Sequence, residues 1–469
     1  MLVISHIIVL LLCAMMFVVP LKHKLAILAI VVICGDAVQL NYIPFGGSHY
    51  LVSNVFLLSE IKNIEKHVRS LNRSTIGTCI IILFIGAFFA LINSPHYHSP
   101  SEWVRFFIRE FTGKYLALCY GFIALKKEGD IKCVLKASYW STLFLTFWGM
   151  VHFITKTSVW VNSVFSATAG RAEDVLNDAS ATVTTGRLRV QAMFHSSFDY
   201  GFACIILLFF FLWAYRSKLI DKTRFLIVTA CCLFGVAACG SRTSIVVLIF
   251  AYVAYFITAY KGGKKVAWFF SLVMAVYVIM QFLPKDYLAL FTEAFSTSDN
   301  FVGARGSSIG MRIVQYTAVL TYLPGHEIFG RGVDFFYYDL GWGDYSAKDI
   351  ATDLHGLEGI HLGLLLERGY FGLAIWVIFI VLLVLLFKRN LKSCRIPNSI
   401  AIAMITAYVV FSMSTGELGS AYITMLYIGI LIKISKLHVT PTIQISNGKN
   451  KIQHSHSSLQ VEVPEQSAR

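Results

Sequence analysis

Residues 199–215 read DYGFACIILLFFFLWAY, and this stretch decides the architecture. Its only charge is Asp199 at the start, and it ends on a basic turn holding Arg216, Lys218, Lys222 and Arg224. A second apolar run, FLIVTACCLFGVAAC at 225–239, follows directly, and a third at 243–260 follows the short turn Gly240-Ser241-Arg242. A membrane-crossing helix needs about 20 mostly apolar residues, and Lys and Arg collect in the turns kept on the cytoplasmic side. Working outward, further runs lie at 4–20, 25–43, 47–60, 75–93, 111–125, 137–155, 266–283, 368–387, 399–414 and 418–432. The run at 47–60 is the weakest span candidate, because it is short and opens on Gly46, Gly47 and Ser48. The expected fold is all-α, a polytopic helical bundle of about 12–13 spans.

Composition agrees with that reading. The chain is 57% hydrophobic and 14% charged, whereas a soluble domain carries about 25% charged residues. A soluble enzyme is therefore excluded. The formal charge of +14 raises the question of a nucleic-acid partner, but position answers it. Besides 216–224, basic turns fall at Lys62, Lys66, Arg69 and Arg73; at Lys126, Lys127, Lys132 and Lys136; at Lys261, Lys264 and Lys265; and at Lys388, Arg389, Lys392 and Arg395. With alternating spans, all of these lie on one side, so the charge reflects topology and no nucleic acid is expected as partner. The ten cysteines sit mostly in apolar runs, with no CxxC pair and no Cys/His cluster. Neither a zinc site nor a disulfide framework is expected. His96 and His98 offer only two ligands in a Pro-bounded turn, too few for a metal. The apolar start, Met1–Pro20, lacks a basic leader and reads as a retained first span.

Residues 1–439 form one integral membrane domain in this reading, with large outer loops at 156–198 and 284–367. The tail 440–469 is rich in Ser, Gln and Lys and is expected to be disordered. The long outer loop is acidic between Pro284 and Glu358, with ten acids against five bases. One of those bases, Arg312, opens MRIVQYTAVLTYLP, a stretch expected to form a helix at the membrane surface. Arg242 sits in the short turn GSRTS between two spans, where a charge must snorkel or meet an anion. The planar fork of arginine suits a diphosphate. Arg187 and Arg189 lie in GRLRVQAMFHSS, just before the span near Phe198. His355, Glu358 and His361 cluster in DLHGLEGIH, just before the span that opens at Glu367-Arg368-Gly369. His and Glu are the usual general bases.

Taken together, these motifs resemble the O-antigen polymerase and O-antigen ligase superfamily of polytopic glycosyltransferases. The likeness runs from about Gly186 to Gly372. It rests on the Arg-rich stretch GRLRVQAMFHSS, the Ser-Arg turn GSRTS, and a block of Arg312, three residues, Tyr316, then Leu323-Pro324 and FGRGV at 329–333. It closes on a His or acid eleven residues before a Gly-x-x-Gly that opens a span; here that position is Glu358, flanked by His355 and His361. Ligases of the family resemble one another in a His there, whereas several polymerases carry an acid. The resemblance therefore leans toward a polymerase, with a ligase that transfers glycan to lipid A–core as the alternative. A lipid-linked glycan flippase is a remoter one, since transporters place their charges near the bilayer midplane.

The resemblance implies a metal-independent transferase with no cofactor, set in the bacterial inner membrane with its active site facing the periplasm. Its donor is an undecaprenyl-diphosphate-linked glycan. Arg242 and Arg312, with Arg189 and Arg187, are expected to hold the donor diphosphate, and one of Glu358, His355 and His361 to activate the acceptor hydroxyl. The implied partners are that lipid-linked glycan, membrane lipids and, as a further candidate, a chain-length regulator.

Overall fold

The protein is seen in a computed structural model that describes residues 2–34, 48–72, 74–159, 188–194, 196–262, 309–339, 357, 359–416 and 420–446. Among these residues every regular element is helical and there is no strand. We number the helices α1 (Leu2–Val18), α2 (Leu21–Cys34), α3 (Ser48–Ser59), α4 (Ile64–Asn72), α5 (Thr75–Ile92), α6 (Pro100–Phe107), α7 (Leu116–Ile123) and α8 (Ile131–Thr155). They continue as α9 (Ser197–Arg216), α10 (Lys222–Ala238), α11 (Arg242–Ala259), α12 (Ile309–Tyr322), α13 (Phe335–Tyr338), α14 (Ile360–Arg389), α15 (Arg395–Thr415) and α16 (Ser420–Ser446). A π-helical segment, Ile108–Tyr115, joins α6 to α7.

Six helices among the described residues are long and apolar enough to cross a membrane: α5, α9, α11, α14, α15, and α16 as far as Leu437. The chain is an all-α, multi-pass membrane protein. The 266–283 run lies outside the described residues, and the 47–60 run is the 12-residue α3. Twelve residues rise about 18 Å, short of the ~30 Å hydrocarbon core. The last helix runs on to Ser446, into the stretch read from the sequence as a tail.

The quoted run 199–215 forms the centre of the bundle. Phe198 and Leu212 are the only residues between Ser197 and Ala214 that are not fully buried. Its aromatic side chains reach in several directions: Phe202 lies 4.4 Å from Phe411 of α15, Phe210 lies 4.4 Å from Tyr427 of α16, and Phe209 lies 5.0 Å from Tyr252 of α11. A helix apolar on all faces can be buried this way, whereas an amphipathic one cannot.

Contacts between turns draw the basic segments to one end. Lys24 Nζ binds Glu60 Oε1 at 2.6 Å, joining the α1–α2 and α3–α4 turns. Arg216 Nη2 donates to Tyr260 Oη at 2.8 Å, and Arg395 Nε donates to Thr258 O at 3.1 Å. Ser435 Oγ donates to Asn398 Oδ1 at 2.8 Å, which brings α16 to the same end. We call this the basic end. The Arg395–Thr258 bond also fixes how α11 and α15 run. They are antiparallel, so Arg242, at the start of α11, lies at the far end beside the last turns of α15.

Candidate functional site

The far end carries four of the residues that the sequence singles out: Arg189, Arg242, Arg312 and His361. In α12, Arg312 and Tyr316 are four residues apart and so share a helix face. On the side turned to α14, Ala318 and Val319 are buried with Leu362 and Leu366 of α14 and Phe335 of α13, a small core separate from that of the bundle. Ile313 and Leu320 stay exposed, so α12 carries an apolar outer stripe as well as a buried one. That is the pattern of a helix lying across the bundle end in the membrane interface.

Arg312 Nη2 donates to Ser414 O at 3.1 Å. Ser414 lies in the last turn of α15, whose carbonyls lack intrahelical partners and carry the negative end of the helix dipole. Tyr316 Oη is hydrogen-bonded to His361 Nε2. Among the described residues His361 Nδ1 is buried with no hydrogen-bond partner. The Arg–three residues–aromatic spacing thus has a physical meaning: the helix turn delivers a guanidinium to α15 and a phenol to the histidine that begins α14. Two expected site residues, Arg312 and His361, therefore meet. Tyr316 is the third member, and sequence reasoning assigned it no role. Glu358, His355 and Arg187 lie outside the described residues.

The segment that carries Arg189 packs beside the turn that leads into Arg242, where a Cβ at Gly240 would come 3.3 Å from Arg189 Cγ. Val190 N donates to Ala238 O at 3.0 Å, which lays the 188–194 segment along the end of α10. The Arg189 guanidinium lies over the Phe198 ring, 5.5 Å from its centroid, a cation–π contact. Arg242 opens α11. Counting from the Arg395–Thr258 bond at 1.5 Å per residue, Arg242 stands about 24 Å up and Ser414 about 28 Å up the paired helices. Residues 188–190 and the GSRTS turn, some fifty residues apart in sequence, therefore border the level at which Arg312 docks.

The glycine-rich block serves another purpose. Arg331 N donates to Leu366 O at 2.8 Å and Gly332 N to Glu367 O at 3.1 Å, while Tyr370 N donates to Glu327 O at 2.8 Å and Phe371 N to Ile328 O at 3.0 Å. These four bonds clamp the 327–332 segment onto a break in α14 at Gly369, whose φ is 64°. A Cβ at Gly369 would come within 2.3 Å of Ile328 O, and one at Gly330 (φ 74°) within 2.4 Å of Arg368 N. Each glycine makes room for the other strand of the clamp. Gly369→Ala is expected to cost on the order of 1–3 kcal/mol from the positive φ alone, with the overlap adding to it. Thermal melting of the purified variant checks this, and an unchanged midpoint would mean that the clamp has no structural role.

Beside the clamp lies a charged cluster that the sequence did not reveal. Arg368 Nη2 binds Glu110 Oε1 at 2.8 Å and Lys114 Nζ binds Glu110 Oε2 at 3.3 Å, with the Glu110 side chain 5% exposed. Arg109 Nη2 binds Asp334 Oδ2 at 2.7 Å, and Tyr97 Oη donates to the same carboxylate. His96, weighed above as a metal ligand, is paired with Asp339. No group of three or more His, Cys, Asp or Glu suited to a metal occurs among the described residues. The turn before α6 is fixed by a capping box between Ser99 and Glu102. The Ser99 backbone and hydroxyl bonds hold the Glu102 carboxyl below its ordinary range.

Comparison with known families covers the same segment. Residues 227–377 match the family model described as O-antigen ligase, about a third of the chain. The match takes in Arg242, Arg312, Tyr316, His361 and the whole clamp. No curated protein matches the chain.

Proposed function

We propose that this chain, whose residues 227–377 match the O-antigen ligase family model, is a surface-polysaccharide polymerase. It joins undecaprenyl-diphosphate-linked repeat units at the periplasmic face of the bacterial inner membrane. The observation that supports this most is the meeting of Arg312, Tyr316 and His361 at the end away from the basic turns, inside the family-matched segment.

In this reading the guanidinium groups of Arg312, Arg242 and Arg189, with Arg187, hold the donor diphosphate. The acceptor oxygen forms a bond to the anomeric carbon of the donor glycan. The bond from that carbon to the diphosphate oxygen breaks, and undecaprenyl diphosphate leaves with the electron pair. Arginines preorganised at the leaving group stabilise the charge that gathers there. The acceptor proton passes to a base: His361, Glu358 or His355. His361 shares Nε2 with Tyr316 Oη, and which of the two donates is set by the imidazole tautomer. Four arginines supply the charge that a divalent metal supplies elsewhere.

A second reading, transfer of finished glycan to lipid A–core, is favoured by His361, which meets Tyr316 three residues from the position, Glu358, at which ligases of the family resemble one another in a histidine. A surface-glycan blot of a deletion strain separates the two. Loss of a polymerase leaves a single repeat unit on the core. Loss of a ligase leaves long glycan on the lipid carrier and none on the core.

Sidedness has its own test. Cysteine placed at the exposed Thr321 is expected to react with an impermeant maleimide added to intact spheroplasts, and cysteine at the exposed Ser217 to stay unlabelled. The reverse pattern would put the site in the cytoplasm and end this reading.

A further inference from the structure

The basic end holds a pocket that the transfer reaction does not use. It has a volume of about 710 Å³ and lies between α4 and α16, lined by Glu65, Lys66, Arg69, Phe122, Lys433 and Lys436, among others. Four of these side chains are cationic, and the one carboxylate, Glu65, is already paired with Arg69. Lys433 and Lys436 are three residues apart on α16, and both ammonium groups sit over the ring of Phe122, at 5.0 and 4.8 Å from its centroid. One aromatic ring thus gathers two like charges, whose mutual repulsion an anion beside them lowers.

The wall opposite is a membrane-surface helix. Ile64 and Val68 of α4, with Ile61 in the turn before it, are 49%, 46% and 58% exposed. Their spacing sets them on one face, while Lys66 and Arg69 lie on the other side, toward the pocket. Such a helix lies in the interface with its apolar face among acyl chains and its basic face at headgroup level. Basic pockets between spans on the cytoplasmic side suit phospholipid headgroups.

From this juxtaposition we infer that the pocket binds the phosphate of an anionic phospholipid headgroup in the inner leaflet, with Lys433 and Lys436 held on Phe122 as its main contacts and Lys66 and Arg69 closing it. Phe122 and Leu437 give the lining an apolar part beside the glycerol backbone. The inference stands apart from the proposed transferase activity, since it concerns the opposite end of the bundle.

The test uses the full-length protein in detergent and native mass spectrometry, titrated with phosphatidylglycerol and, separately, phosphatidylethanolamine. Wild type is expected to retain phosphatidylglycerol preferentially. The Lys433→Gln/Lys436→Gln variant is expected to bind it on the order of thirtyfold more weakly. The Lys433→Arg/Lys436→Arg variant should restore retention, and Lys392→Gln, an exposed charge outside the pocket, should leave it unchanged. Equal phosphatidylglycerol retention by wild type and the double Gln variant would overturn the inference. So would binding of glycerol phosphate or inorganic phosphate as tight as that of the lipid, which would make the pocket a site for a soluble anion. Should the double variant fail to fold, Phe122→Leu keeps every charge and is expected to weaken retention, and unchanged retention there would count equally against the lipid site.

Discussion

Arg312→Ala is expected to lower glycan transfer by about 100–1,000-fold, the usual loss on removing one preorganised donor at a developing anion, with the protein still present in the membrane. The side chain donates to the Ser414 carbonyl at the end of α15 and is no part of the α12 core of Ala318, Val319, Leu362 and Leu366, so truncation removes a charge and leaves that core intact. Arg312→Lys should recover only part of the rate, because a point charge cannot replace a planar fork on a diphosphate. Arg242→Ala is expected to behave in the same way. Glycan length on surface blots and rates from purified protein are the readouts. Full-length glycan from both Arg→Ala variants would place the diphosphate elsewhere.

The second large effect is structural. Glu110→Ala is expected to destabilise the protein by about 3–5 kcal/mol, because it leaves the guanidinium of Arg368 buried without its counter-ion. The partners come from distant parts of the chain, the π-helical segment Ile108–Tyr115 and the break before Gly369. A five-residue hydrogen-bonded turn is a usual device for bringing such a group to a site. Replacing both residues by methionine should recover much of the loss, since removing a whole buried pair costs far less than removing half of it. Thermal melting of the single and double variants in detergent gives the comparison. A single variant that melts with wild type would mean that the pair contributes nothing.

The two predictions differ in how far the sequence led to them. Uninterrupted apolar runs and basic turns were enough to specify a helical membrane bundle, because spans and their flanking charges are set by the bilayer rather than by tertiary detail. The buried central helix follows from residues 199–215 being apolar on all sides. Arg312 was legible because a lone base leads an apolar helix, and His361 because it stands just before a span. Tyr316 was visible as part of a spacing but had no role until the α12 turn was seen to place it against His361. Gly330 and Gly369 stood in two separate motifs, FGRGV and the Gly-x-x-Gly that opens a span, but their pairing in a clamp was not legible, since nothing local reports that two backbones will pair. Glu110 drew no reading and Arg368 only marked the opening of a span: a buried ion pair between residues 258 apart in sequence leaves no local pattern, and only packing brings it together. The two lysines on Phe122 drew no reading from the sequence, since only packing brings that ring to them.

The central claim is that the end holding Arg312, Tyr316 and His361 transfers glycan from a polyprenyl diphosphate. Its most direct test is purified protein in nanodiscs, supplied with an undecaprenyl-diphosphate-linked repeat unit in the presence of EDTA. Products are read as a glycan ladder on gels and as released undecaprenyl diphosphate by mass spectrometry. The account predicts a ladder that grows with time, matched by release of the carrier diphosphate, insensitive to EDTA and lost in Arg312→Ala. Unchanged lipid-linked substrate with folded wild-type protein, and no glycan joined either to a second repeat unit or to added lipid A–core, would contradict it.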